Sequence, residues 1–150
     1  MRLTLRILSL LLVLSVTGTA LGACQRKVPA YEKYIKQYSS LAIQHQKKYR
    51  IPASITLAQG LLESGAGRSE LVRKSNNHFG IKCHSDWRGG RVYHDDDLRG
   101  ECFRKYKNPE QSYEDHARFL VDRPRYASLF KLKITDYKGW ARGLQKCGYA

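Results

Sequence analysis

The stretch ITLAQGLLESGAG, residues 55–67, decides the fold of this chain. Its apolar residues fall on one broad arc at about 100° per residue, which predicts a helix over about 52–64. The stripe expected to face the core consists of Ile55, Leu57, Ala58, Leu61 and Leu62. Gly65 and Gly67 follow at once, and glycine accepts the left-handed conformation in which many helices end. The sequence therefore predicts a buried helix that stops abruptly after Glu63.

Glu63 has the setting of a general acid. It lies in the last helical turn, where the helix dipole disfavours a carboxylate, and the neighbouring leucines are expected to remove part of its hydration. Both effects favour the protonated form and predict a raised pKa for this carboxyl group. Gln59, one turn earlier, lies on the same polar side of the helix. A carboxylic acid that keeps its proton near neutrality suits acid catalysis.

Length and charge limit the class of protein. The chain has 150 residues, which predicts one domain with a single core. Lys and Arg number 27 against 13 Asp and Glu, for a net charge of +14. Such a charge predicts attraction to a polyanion, whether nucleic acid, anionic lipid or an acidic cell-wall polymer.

The N-terminus predicts export. Residues 1–23 read as a signal peptide, with two arginines before an apolar run, Ile7–Val16, that is too short to span a bilayer. The segment LGAC, residues 21–24, resembles a bacterial lipobox, with Cys24 as the lipidated first residue of the mature protein; ordinary cleavage near Ala20 or Ala23 is the alternative. Residues 24–30 are interpreted as a tether. We expect a membrane-anchored lipoprotein of the bacterial envelope, in the periplasm or on the outer surface, and no nucleic-acid partner.

The remaining chain reads as helices, a small sheet, and helices again. A first helix is expected over Tyr31–Arg50, and Ser69 should cap a short one over 69–74. Two extended pieces, around 92–93 and 102–106, predict a β-hairpin. Three further helices are expected: one opened by a capping box over Ser112–Asp115, one over Arg125–Phe130, and one capped by Thr135. This order predicts an α+β domain whose two lobes flank a groove.

Four cysteines in an exported chain allow three full pairings. A Cys83–Cys102 disulfide would close a loop of about 20 residues and contribute roughly 3 kcal/mol. Cys147 is left as a free thiol if Cys24 is lipidated and could otherwise pair with it. A zinc site of Cys83, His84, His94 and Cys102 lacks the short paired ligand spacing usual for zinc, and an oxidising compartment favours the disulfide. We expect no metal and no other cofactor.

Five ordered motifs resemble the family 73 glycoside hydrolases, the endo-β-N-acetylglucosaminidase-like enzymes that include flagellar-rod-associated wall hydrolases. They are AQ and LESGAG within residues 58–67, NNHFGIK at 76–82, FRKY at 103–106, the pattern around Ser112, Asp115, His116, Phe119 and Leu120, and RY at 125–126. The resemblance covers residues 31–150, which identifies that range as the catalytic domain.

The resemblance implies a lysozyme-like fold, with a mainly helical lobe and a small β-hairpin lobe flanking a substrate groove. It implies cleavage of peptidoglycan at the β-1,4 bond from N-acetylglucosamine to N-acetylmuramic acid, with Glu63 as the general acid. The second carboxylate is predicted to be Asp96, where many relatives carry Glu. Asp95, Asp97 and Glu101 remain alternatives. Tyr126 matches a cleft tyrosine and is counted with the catalytic residues.

Substrate-binding roles are predicted for Gln59, Asn77, Phe79 and Tyr106, with Asn77 and Phe79 shaping the cleft floor, whereas His116 is expected to be structural. We expect a monomer that acts on glycan strands. Relatives usually continue beyond the GYA pattern at 148–150 with a further short helix, so the chain is expected to be either a minimal form or a truncated product whose helical lobe is incompletely packed. Two other interpretations are a lytic transglycosylase or muramidase, and a non-catalytic peptidoglycan-binding lipoprotein.

Overall fold

The computed structural model describes residues 28–85 and 87–149. The helices are α1 (Pro29–Tyr49), α2 (Ala53–Glu63), α3 (Glu70–Ser75), α4 (Pro109–Val121), a 3-10 helix (Pro124–Lys131) and α5 (Tyr137–Lys146). Strands β1 (Gly90–His94) and β2 (Glu101–Lys105) stand between α3 and α4. The expected α+β class, a helical lobe with a small hairpin, is confirmed. In the described part of the chain, no helix is both long and apolar enough to cross a membrane.

The predicted hairpin is an antiparallel pair. Val92 lies opposite Phe103, and His94 opposite Glu101, so the turn between the strands holds residues 95–100. Lys82 extends this sheet by one isolated bridge to Phe103. The disulfide predicted between Cys83 and Cys102 is present and ties the same segment to β2.

The helical lobe is built around α2. On one side, Ile55 joins Leu120, Tyr126 and Trp140 in a cluster that unites α2, α4, the 3-10 helix and α5. On the other side, α1 lies against α2 where Gly60 has no side chain. A Cβ atom there would stand 2.6 Å from the Tyr34 hydroxyl oxygen, so any larger residue would displace the Tyr34 side chain.

Only part of the predicted α2 stripe faces the core. Ile55 and Leu61 are buried, but Ala58 is exposed and Leu62 is 72% exposed. The predictions for Ala58 and Leu62 were therefore wrong. Periodicity gave the helix correctly, but the neighbours cover a narrower arc than the apolar residues occupy.

Several helix starts differ from the prediction. Helix α1 begins at Pro29, inside the predicted tether, because proline suits the first helical position. Helix α4 begins at Pro109 with Asn108 as its cap, whereas Ser112 accepts a hydrogen bond from the His78 amide at 3.0 Å. Asp136, not Thr135, caps α5. The cap predicted at Ser69 is confirmed.

Candidate active site

Glu63 is the last residue of α2, and the chain after it is tightly fixed. Gly65, Ala66 and Gly67 have φ values of 56°, 57° and 75°, a run that no helix can continue through. The buried Ser64 hydroxyl accepts a hydrogen bond from the Gly67 amide at 2.7 Å. The Ala66 amide donates to the carbonyl oxygen of Leu61 at the same distance. Backbone hydrogen bonds and packing thus hold the position of Glu63.

The carboxyl group of Glu63 is accessible, yet its pKa is raised. Partial burial is the larger cause and the charge of Asp96 is the second. The direction agrees with the expectation from the sequence. A group of this kind retains its proton to higher pH than an ordinary glutamate and can donate it.

Two cavities meet at Glu63. One, of about 230 Å³, lies toward the hairpin lobe and is lined by Phe79, Gly80, Ile81, Lys82, His84, Phe119, Arg125 and Tyr126. The other, of about 520 Å³, lies between α2 and α5 and includes Ile55, Ala58, Gln59, Leu62, Ala141, Arg142, Leu144 and Gln145. Glu63 and Tyr149 line both cavities, which therefore adjoin at Glu63, and we refer to the two together as the groove. Gln59, Phe79 and Tyr126 line these cavities, although Phe79 is only 4% exposed and Tyr126 0%, and their roles toward a substrate stay predictions.

Two predicted substrate-binding residues lie elsewhere. Asn77 is buried, and its side-chain amide donates to the carbonyl oxygens of Ile81 at 2.9 Å and Arg104 at 3.0 Å. It therefore braces the segment beneath the groove. The Tyr106 hydroxyl donates to the Asp115 carboxylate at 2.5 Å, and the residue lines a separate cavity of about 700 Å³ that shares no lining residue with the other two.

The four candidates for the second carboxylate differ in their contacts. Asp95 accepts a hydrogen bond from the Gly100 amide, which shapes the turn. Glu101 accepts from the Leu98 amide and from Lys82. Asp97 points outward, with its side chain 85% exposed. Asp96 is the one whose charge acts on Glu63. This interaction favours Asp96, although Asp96 lines neither of the two cavities, and its catalytic role stays a prediction.

The hairpin turn also holds the one cluster, among the described residues, with the composition of a metal site. Carboxylate oxygens of Asp96, Asp97 and Glu101 lie within 4.8 Å of one another. The Nζ atom of Lys82 lies 3.6, 3.2 and 2.8 Å from them, respectively, so an ammonium group supplies the positive charge that a cation would bring. The alternative zinc site is wrong, because two of its four ligands, Cys83 and Cys102, form the disulfide.

Of the other two cysteines, only Cys147 lies among the described residues. Cys147 is a free thiol that donates to the Arg125 carbonyl oxygen at 3.0 Å. Cys24, like the whole predicted signal peptide and most of the predicted tether, lies outside the described residues.

Tyr149 is a groove residue that the sequence reasoning did not select. It lines both cavities with Glu63, its ring centroid lies 6.3 Å from that of Tyr126, and burial together with the nearby Glu63 charge raises the pKa of its hydroxyl. The hydroxyl therefore keeps its proton and can donate a hydrogen bond near the acid. Its position, 86 residues after Glu63 and just past the end of α5, gives no spacing signal in the sequence.

Comparison with known proteins identifies the family of the chain. Residues 39–150 match the family model described as mannosyl-glycoprotein endo-β-N-acetylglucosaminidase. The chain belongs to this glucosaminidase family. Peptidoglycan hydrolase FlgJ of Vibrio parahaemolyticus is 32% identical over 135 residues, which cover 83% of this chain and 44% of that protein. Exo-glucosaminidase LytG of Bacillus subtilis is 36% identical over 118 residues, 69% of this chain and 40% of that one.

Solved structures place the glucosaminidase-family chain among lysozyme-like hydrolases. The crystal structure of peptidoglycan hydrolase from Sphingomonas sp. A1 superimposes with a TM-score of 0.70 at 33% identity, over 79% of this chain and 78% of that one. The family resemblance stated from the motifs is confirmed. The chain spans less than half the length of the two curated relatives, FlgJ and LytG.

Proposed function

We propose that this protein is a peptidoglycan hydrolase that cuts the β-1,4 bond between N-acetylglucosamine and N-acetylmuramic acid. The observation that carries the proposal is the setting of Glu63, an accessible carboxyl with a raised pKa where the two cavities of the groove adjoin. Glycoside hydrolysis needs a protonated carboxyl beside the leaving oxygen and a second carboxylate across the bond. Glu63 supplies the first and Asp96 the second.

In this mechanism, Glu63 donates its proton to the oxygen of the departing sugar. Asp96 acts on the anomeric carbon, either as a nucleophile, which retains the anomeric configuration, or through a water molecule, which inverts it. Tyr126 and Tyr149 border the same cavity as Glu63. Proton NMR of freshly released ends distinguishes the two stereochemical routes.

The shape of the groove favours cleavage within a strand. Because cavities extend on both sides of Glu63, sugar units can be bound on either side of the cut bond. Exo cleavage is the second candidate, because a 36% identical relative is named an exo-glucosaminidase. Size analysis of early products separates the two: endo cleavage shortens strands quickly into fragments of many lengths, whereas exo cleavage releases disaccharide units from the start.

Charge and compartment support a wall polymer as the substrate. The net charge of +14 suits a polymer whose muramic acids and stem peptides carry carboxylates, and Arg125 and Arg142 stand at the two parts of the groove. The Cys83–Cys102 disulfide fits an oxidising compartment outside the cytosol. We further propose that residues 1–23 are a signal peptide and that Cys24 is lipidated. The protein would then be a monomer anchored to a membrane of the envelope.

The test is a digest of purified peptidoglycan by the mature protein and by Glu63→Gln. Products are reduced with borohydride and identified by mass spectrometry. Reduced N-acetylglucosamine ends are expected from the wild type, and Glu63→Gln should form them at least about a hundredfold more slowly because it lacks the acid. Glu70→Gln is the matched control, since this exposed glutamate on α3 pairs with Lys74.

Three results would contradict the proposal. Reduced muramic acid ends would indicate a muramidase, and anhydro-muramic ends a lytic transglycosylase. Binding of peptidoglycan without new ends, unchanged in Glu63→Gln, would indicate a non-catalytic wall-binding protein.

A further inference from the structure

The turn that carries Asp96 holds an unusual concentration of negative charge. We call residues 95–101 the acidic loop; it carries the carboxylates of Asp95, Asp96, Asp97 and Glu101. Three of these have oxygens within 4.8 Å of one another. Like charges at such distances repel, and an exposed turn has little packing with which to resist the repulsion.

Lys82, in the neighbouring segment, partly neutralises this negative charge. Its Nζ atom lies 2.8 Å from Glu101, 3.2 Å from Asp97 and 3.6 Å from Asp96. Glu101 and Asp97 raise the pKa of the Lys82 ammonium, most strongly through the hydrogen bond to Glu101. An isolated surface ion pair contributes little, but this ammonium is shared by three carboxylates, and the Glu101 side chain is only 16% exposed.

The backbone of Lys82 is fixed where the groove meets the hairpin. It pairs with Phe103 of β2, and its carbonyl oxygen accepts a hydrogen bond from the Arg104 side chain at 3.4 Å. The adjacent Ile81 is held on both sides by Asn77. Lys82 also lines the cavity that contains Glu63. The same side chain thus contacts the acidic loop and borders the groove.

We propose that Lys82 is a positioning residue, which holds the acidic loop folded and so fixes the position of Asp96 relative to Glu63. The inference rests on the proposed function, in which Asp96 is the second carboxylate. Lys82 needs no contact with the reacting atoms; its effect passes through Asp96. Loss of the ammonium should let the loop move outward and slow the chemical step, while binding elsewhere in the groove persists.

The test compares Lys82→Met, which keeps the length and apolar stem without the charge, with Lys82→Arg, which keeps the charge. Lys105→Met, at an exposed lysine of β2, is the control. Initial rates on soluble glycan strands give kcat and KM. Hydrogen exchange followed by NMR reports on the Asp96, Leu98 and Gly100 amides, which are all hydrogen-bonded within the loop.

For Lys82→Met, we expect kcat at least tenfold lower, KM within about twofold, and faster exchange confined to the acidic loop. Lys82→Arg should recover most of kcat and of the protection, and Lys105→Met should match the wild type. Should Lys82→Met fail to fold, Lys82→Gln replaces it in both measurements.

The proposal is overturned if loop exchange is unchanged in Lys82→Met, or if that variant loses activity through a higher KM and not a lower kcat. It is also overturned if Lys82→Arg recovers no more activity than Lys82→Met. A general increase in exchange across the helices would indicate a merely structural lysine and would also overturn it. Failure of the proposed function is a different result: the wild type would not hydrolyse glycan strands at all. The exchange experiment would still decide whether Lys82 holds the loop.

Discussion

Glu63 and Asp96 act on each other electrostatically but belong to regions built by different forces. Glu63 ends a helix whose inner side is buried and whose terminus is locked by the Ser64 hydroxyl and a run of left-handed residues. Asp96 lies on an exposed turn between two short strands and meets Lys82 at 3.6 Å. Packing fixes the position of Glu63, and charge fixes the position of Asp96. In the proposed mechanism, a movement of the hairpin alone would change the separation of the two carboxyl groups.

Removing the disulfide is the largest change that the hairpin side offers. Cys83→Ser combined with Cys102→Ser should lower the free energy of unfolding by about 3 kcal/mol, because the bridge restricts a loop of about 20 residues in the unfolded chain. Urea unfolding measures the loss. If hairpin and helices differ as argued, hydrogen exchange in the double variant should rise first at β1 and β2, with α2 still protected.

Cys147→Ser is the control, since that thiol is free and donates only to a backbone carbonyl. An equal loss of protection in α2 and in the hairpin would mean that the two regions unfold as one, which would contradict the comparison.

The sequence predicted the region around Glu63 better than the region around Asp96. Helix α2, its abrupt end and the raised pKa of Glu63 all follow from residues within two turns of one another, and the structure confirms them. The disulfide and the hairpin were also predicted, because turn residues and cysteine spacing are local signals.

Other features depend on contacts that no spacing reveals. Leu61 and Leu62 are adjacent and equally apolar, and only the arrangement of α1 and α5 decides that the second is exposed. Ser112 matched a capping box, but the His78 amide, 34 residues away, uses its hydroxyl. Tyr149 and Lys82 reach the groove from segments distant from Glu63 in the sequence. Motif matching also gave Tyr106 a substrate role, although its hydroxyl binds Asp115.

Acid should weaken the helical side specifically. Burial lowers the pKa of His78 to about 4 and that of His116 to about 3, so both are neutral in the folded protein, whereas the unfolded chain binds protons near pH 6.5. Since the unfolded state binds more protons below that pH, stability falls as pH decreases from about 6.5 toward the folded-state values. We expect a loss of about 1 kcal/mol for each histidine between pH 6.5 and 5.5, measured by urea unfolding.

His116→Phe tests the origin of this loss. The ring of His116 stacks on Phe79 at 3.9 Å, and phenylalanine can keep that stacking without titrating. The loss between pH 6.5 and 5.5 should therefore shrink by about 1 kcal/mol in this variant, the share of one histidine. If the pH dependence of the free energy of unfolding were unchanged, the acid sensitivity would belong to other groups. Buried histidines would then not distinguish the helical side from the ion-paired hairpin.

The smallest expected effect is the most direct test of the carboxyl pair. Burial is the larger cause of the raised pKa of Glu63, and the Asp96 charge is the second. In Asp96→Asn, the pKa of Glu63 should fall but remain above its ordinary value, because its burial is unchanged. Carbon-13 NMR of the Glu63 carboxyl group during a pH titration measures this without any substrate. Asp97→Asn, at a more exposed carboxylate of the same loop, should change it less. If Asp97→Asn lowered the Glu63 pKa more than Asp96→Asn did, Asp97 would be the residue facing the acid, and the role given to Asp96 would pass to it.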